Sequence, residues 1–364
     1  MRFMVRMCVV FLLLCAGTAG LWAGGDAERE TAFTVEDARG RSVAFSEAPR
    51  RIIIAGRGAI PIVDAAYLFP EGHELVFSMV RCDQGRGSFA AALDGDFLET
   101  TFPDHNLGPE DVVALEPDCV LMKSYMAGNL GEPLEHLGIP VVYVDLESPE
   151  QFGRDVRILG VLLENEERAE EVLAWYEKEA DAVAKALSSR EVSTDPRVLF
   201  VYHSQKGGSI SFNVPPAAWL QSRLVEEAGG VPVWTSDAAG KGWMKVGIEQ
   251  IAGWDPDVIF LTDYFSPVDE VKAELIQDGA WKELRAVREG RLYAYPSDFY
   301  SWDQPDSRWI LALKWMAAVL HPEETGGFRL EEDVVRFFRT MYGMDRESVD
   351  EIIISRLIGD VEPR

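Results

Sequence analysis

Basic residues are scarce in this chain: 35 Lys and Arg stand against 61 Asp and Glu over 364 residues, a formal net charge of −26. No stripe of Lys and Arg interrupts that acidity. Phosphate backbones and anionic lipid heads repel such a surface, so nucleic acid is excluded as a partner. Long apolar runs are missing too, and no stretch reaches the ~20 residues that a membrane-spanning helix needs. Histidine occurs five times. His136 falls on a helix and His321 at a helix end, and of the rest only His203 clearly follows a strand, with His105 the other candidate, which is too few for a three-His site holding a bare ion. Catalytic signatures are absent: there is no P-loop, no Gly-x-Ser-x-Gly elbow, no His-Glu-x-x-His and no Cys-x-x-Cys. Two carboxylates could still meet as a glycosidase pair. Asp145, Asp263, Asp298 and Asp303 are the ones that follow strands, and loop capping or hydrogen bonding suits them better. The chain is expected to bind rather than to catalyse, with no metal or cofactor of its own.

Cysteine is nearly as rare, at four. Arg2 and Arg6 precede an apolar run from Met7 to Leu14, and small residues follow, which reads as a secretory signal peptide over 1–23 cut near Ala19 or Ala23. Cys15 offers a lipid anchor as the alternative, although Leu14 stands where a small residue is expected. Cys82 and Cys119 lie in or beside apolar strand runs, so two buried free thiols are expected rather than a disulfide.

What is present is an ordinary globular balance, 47% hydrophobic and 26% charged, with length for two domains. A hairpin is predicted over 33–45 around the turn Asp37-Ala38-Arg39-Gly40. Short apolar strands at 51–55, 74–79, 119–122 and 141–144 then alternate with helices at 62–68, 109–114 and 134–137, the pattern of a parallel sheet. Helix 151–163 follows. A second helix, about six turns long, runs to Leu187 with apolar residues recurring at helical spacing and Glu filling the other faces. Alternation resumes with strands at 198–202, 258–261 and 292–294 and helices at 217–228, 275–284 and 307–320. The tail 331–357 reads as two further helices.

Several segments in this order resemble the solute-binding proteins of ABC importers whose lobes are joined by one long helix, the ferric-siderophore, cobalamin and related metal-complex binders. They include Val35-Glu36-Asp37-Ala38-Arg39-Gly40-Arg41, Pro109-Glu110-Asp111-Val112-Val113-Ala114-Leu115-Glu116-Pro117-Asp118 and Glu226-Glu227-Ala228-Gly229-Gly230. Gly247-Ile248-Glu249-Gln250-Ile251 and Trp281-Lys282-Glu283-Leu284 continue the series. The resemblance implies an α/β fold: two Rossmann-like lobes with parallel sheets (31–150 and 196–322), bridged by a single long helix within 151–187, plus a helical extension over 323–364. It also implies a periplasmic monomer that hands a small-molecule metal complex to a membrane permease. The ligand is expected to be a chelated metal, with iron or an oxyanion such as molybdate favoured by the tail, and cobalamin and heme still open. Because a helix bends less readily than a loop, lobe closure should be small.

Ligands of parallel α/β sheets bind beyond the carboxyl ends of the strands. That places Arg57, Arg81, Lys123, Tyr125, Tyr202, His203, Tyr264, Phe265, Tyr300 and Trp302 at the cleft, with Trp243 added from the resemblance. Aromatic faces would cover an organic chelate while Arg and Lys meet its anionic groups. In the family one Glu on each lobe docks into Arg pockets of the permease, and by position these fall on Glu110 and Glu249.

Overall fold

The computed structural model describes residues 33–362 apart from 96, 98, 103–107, 239, 241 and 330. The expected signal segment, with Cys15, lies outside the described residues. Strands β1 (Phe33–Glu36) and β2 (Ser42–Phe45) form the predicted antiparallel hairpin. The Asp37 carboxylate organises its turn by accepting the amides of Arg39 and Arg41 at 2.9 and 3.1 Å.

The first lobe is built on β3 (Ile52–Ile54), β4 (Val76–Val80), β5 (Glu99–Phe102), β6 (Cys119–Lys123) and β7 (Val141–Val144), in the order β5-β4-β3-β6-β7 and all parallel. Every residue of β3, β6 and β7 is buried, as strands covered by helices on both faces must be. Cys82 and Cys119 are free and buried. Helices α1 (Ala59–Ala66) and α2 (Pro109–Val113) belong to this lobe.

Helix α3 (Pro149–Leu162) leads into α4 (Glu166–Ala186), the long bridge. At 21 residues it spans about 31 Å. Asn165 caps it, its side chain accepting the Arg168 amide at 3.1 Å and donating to Glu71 of the first lobe at 3.0 Å. Further along, the Tyr176 hydroxyl donates to Ser307 O at 2.5 Å and Glu179 accepts from Lys314 at 2.6 Å, both in the second lobe.

The second lobe holds β8 (Arg197–Lys206), β9 (Ser209–Val214), β10 (Val231–Pro232), β11 (Met244–Val246), β12 (Val258–Thr262) and β13 (Leu292–Ala294). Its order is β11-β9-β8-β12-β13, with β10 beside the start of β8. Here the expectation of a parallel sheet needs correction. β12, β13 and β10 are parallel to β8, but β9 runs antiparallel to it and pairs antiparallel with β11, which again points along β8. The cause is the two-residue turn Gly207-Gly208, whose φ values of 59° and 82° let β8 fold straight back on itself. Helices α5 (Ile248–Trp254), α6 (Val268–Gln277) and α7 (Trp309–Leu320) complete the lobe. The helix expected over 275–284 is displaced: α6 ends at Gln277, and Asp278 then accepts the amides of Ala280 and Trp281 to start a separate turn.

The tail does more than pack on the second lobe. From α8 (Arg336–Tyr342), Phe338 and Tyr342 meet Phe89 of the first lobe at ring distances of 5.7 and 4.9 Å. Arg168 of α4 donates to Thr340 O and Met341 O. Farther on, Ile358 pairs with Ser297, and Trp315 donates to Asp360 O at 2.7 Å. One continuous apolar core therefore runs through both lobes, the bridge and the tail.

Candidate ligand-binding cleft

The carboxyl ends of β3, β4, β6 and β7 face the second lobe across a cleft of about 320 Å³. Its first-lobe wall carries Gly56, Gly58, Arg81, Gln84, Lys123, Tyr125 and Glu147, and the opposite wall carries Phe265, Gln304 and Pro305. Two Gly-Arg-Gly triplets lie on the first-lobe side, the first of them in the cleft wall. Gly56-Arg57-Gly58 follows β3 and Gly85-Arg86-Gly87 follows β4, and all four glycines have φ between 79° and 92°. At Gly58 a Cβ would stand 2.8 Å from the Tyr125 hydroxyl, so only glycine fits beneath that ring.

Within this wall the predicted residues take different parts. The Tyr125 ring is 59% exposed, and its hydroxyl donates to Arg57 O at 3.0 Å. Arg57 and Arg81 are exposed, with Arg81 paired to Asp83. Lys123 borders the cleft but is buried, its Nζ held by Asp145 O and, at 3.0 Å, by Glu147. Much of its charge is met inside the chain. Basic and acidic groups nearly balance here, in a molecule that is otherwise strongly acidic.

His203, Tyr300 and Trp302 lie in the interior. β8 continues to Lys206, so Tyr202 and His203 sit inside a strand rather than past its end. His203 is buried with Nδ1 at 2.7 Å from Asp263 Oδ2. Asp263 in turn accepts the amides of Phe265 and Ser266 at 2.8 and 2.7 Å. That turn presents the Phe265 ring, 76% exposed, to the cleft. Tyr300 is buried between the lobes, donating to Cys82 O at 2.5 Å and accepting the Phe89 amide at 3.1 Å. Trp302 is fully buried and donates to Asp298 at 3.0 Å. The loop turns inward because the Asp298 carboxylate also gathers the Phe299 amide and the Arg308 guanidinium.

Tyr202, Trp243 and Tyr264 do come together, with ring distances of 4.5, 5.2 and 6.3 Å, and Trp219 joins them. Tyr264 donates to Asp303 at 2.7 Å and borders a smaller chamber of about 130 Å³ behind Phe265. Among the described residues no three of His, Cys, Asp and Glu gather as a metal site.

Sequence reading missed two features. Gln84 and Gln304 exchange hydrogen bonds at 2.9 and 2.8 Å, a reciprocal amide pair joining the lobes at the cleft. Arg86 was missed as well, although its flanking glycines repeat the pattern around Arg57.

Glu110 and Glu249 are exposed, each the second residue of its helix, α2 or α5. Each follows an extended glycine cap, Gly108 or Gly247, and bends its carboxylate back over it. A Cβ on those glycines would lie 2.7 and 3.2 Å from the respective Oε2.

Comparison with known proteins accounts for this architecture. Molybdate-binding protein MolA of Haemophilus influenzae is 23% identical over 263 residues, covering 65% of this chain and 71% of that protein. A vitamin B12-binding protein of Pectobacterium atrosepticum is 25% identical over 168 residues, covering 45% of this chain and 57% of the relative. A periplasmic solute binding protein of Veillonella parvula superposes with a TM-score of 0.70 at 24% identity, over 89% of this chain and 98% of that one. The molybdate-bound structure of MolA also gives 0.70, at 17% identity over 86% and 98%. These likenesses show the two-lobed fold. Residues 99–299, more than half of the chain, match the family model described as periplasmic binding protein, and the chain therefore belongs to that family of ABC-transporter solute-binding proteins.

Proposed function

We propose that this protein captures a compact anionic ligand, a metal oxyanion or a small anionic metal chelate, in the inter-lobe cleft and delivers it to an ABC permease. The observation that carries the reading is the cleft itself. Its volume of about 320 Å³ lies at the lower end of the range for ligand pockets, which suits a compact ligand better than cobalamin or heme. The exposed Arg57 and the turn entering α1 at Gly58, where no side chain caps the helix, supply donors to an anion. The exposed rings of Tyr125 and Phe265 favour a second reading, a ferric siderophore gripped between aromatic faces. The relative's molybdate supports the first.

On this reading the protein works outside the cytoplasm without turnover, and Glu110 and Glu249 are the docking carboxylates. Native mass spectrometry of protein purified from its own cell envelope, followed by titration, tests it. One molybdate or one compact ferric chelate per chain is expected, with cobalamin and heme left unbound. A ligand-free protein that also fails ferric chelates, heme, cobalamin and molybdate would sink the proposal.

A further inference from the structure

Beside the cleft lies the chamber of about 130 Å³, and two residues, Gln84 and Phe265, line both spaces. Gln84 is held by its amide exchange with Gln304, and Phe265 by the turn on Asp263. Its volume is that of about four water molecules, or one small oxyanion. Arg86, Ser266 and Ser297 face this space from the two lobes.

Arg86 differs from the other buried guanidinium near the lobe interface. Arg308 has carboxylates of Asp64, Asp298 and Asp306 around it. Arg86 is half-buried and donates only to backbone carbonyls, Asp298 O at 2.6 Å and Arg356 O. It forms no ion pair with a described carboxylate. Burial lowers its hold on its proton, with Asp298 and Asp269 pulling the other way. A desolvated cation without a paired anion gains strongly when one arrives.

The other lining groups agree. Ser297 is 6% exposed, its backbone pairs with Ile358, and its hydroxyl has no hydrogen-bond partner among the described residues. Ser266 stands just before α6, a ten-residue helix with no side chain capping its first amides, so the positive end of its dipole lies beside the chamber. Asp263 contributes the opposing charge, but its oxygens are occupied by His203 and the Phe265 and Ser266 amides.

Resting on the cleft reading above, we infer that the chamber is a second anion subsite in which Arg86, with the hydroxyls of Ser297 and Ser266, binds a small oxyanion or carboxylate group. The group is either a free oxyanion or an arm of a larger ligand seated in the outer cleft. Phe265 and the Gln84–Gln304 pair then stand between this subsite and the outer cleft.

Calorimetric titration of the whole chain with sodium molybdate and with ferric citrate tests this, together with a molybdate-soaked crystal read by its anomalous signal. Arg86→Gln should weaken one probe about tenfold or more and Ser297→Ala the same probe several-fold. Loss of molybdate identifies a free oxyanion, with an anomalous peak between Arg86 and Ser297; loss of ferric citrate identifies a ligand arm. Ser297→Ala removes a single oxygen and decides the matter if the arginine variant fails to fold. Unchanged binding of both probes in folded variants, while Tyr125→Ala weakens them, overturns the chamber and leaves the cleft standing. Failure of the wild type to bind either probe overturns both.

Discussion

Arg308 is the most deeply committed side chain of the second lobe. Fully buried, it reaches Asp64 of α1 across the lobe boundary, holds Asp298 at 2.9 Å and lies 3.6 Å from Asp306. Phe89, Tyr300 and Phe338 cover its plane at 4.4 to 5.5 Å. One cation cannot balance three ionised carboxylates in such a site. Burial accordingly pushes Asp306 up and lifts Asp64 to about 6, against the pull of Arg308. The folded protein thus holds the Asp64 proton more tightly than the unfolded chain does. This contribution to stability falls as pH rises from about 4 to about 6, and acidification restores it. Asp64→Asn should remove that dependence. Urea melts across this window should show wild type gaining on the variant toward low pH, by on the order of 3 kcal/mol. A pH-independent difference would mean that Asp64 does not titrate there. None of this is legible in the sequence, where Asp64 is one polar residue in an apolar helix and its partners lie more than 230 positions away.

At the scale of elements, local patterns transmit well and long-range partners do not. The short continuous apolar runs located the central strands of both sheets, and the spacing of Ala169, Val172, Tyr176 and Val183 located α4. The β8–β9 hairpin was written in Lys206-Gly207-Gly208-Ser209, a strong turn signal that the strand–helix alternation obscured. The apolar positions of the tail announced a helix but not its neighbours. Phe338 is fully buried and touches Phe89 in the first lobe. Phe338→Ala should cost about 3–5 kcal/mol, measured by chemical denaturation. Hydrogen exchange should rise in the tail and also in the first-lobe helix Phe89–Leu93. Loss of protection confined to the tail would show that it does not brace the lobes.

For the molecule as a whole, the order of segments revealed the two-lobed frame, while the cleft was only half legible. Residues directly after parallel strands, such as Arg81 and Tyr125, reached it. Those in the long loop after β13 did not, because Asp298 draws Tyr300 and Trp302 inward. The docking assignment belongs to this scale, since it needs both lobes at once. Replacing Glu110 and Glu249 together by Ala should abolish uptake in vesicles carrying the permease while ligand affinity stays unchanged. Added salt should weaken the wild-type interaction as well. Both carboxylates are exposed in the first turn of a helix, so the fold should lose less than about 1 kcal/mol for each. Normal transport by the folded double variant would return them to ordinary helix-start residues.

The bridge α4 is tied to the first lobe through Asn165 and to the second through Tyr176 and Glu179, and the tail and the Arg308 cluster join the same two bodies again. A cleft framed in this way exists before its ligand arrives. Little interaction energy is then diverted into rearranging the walls, and encounter is not throttled by a rare competent conformation. Ligands that fit should enter at similar speeds and differ mainly in how long they stay, so residence time, rather than capture, becomes the quantity on which selection between cargoes acts.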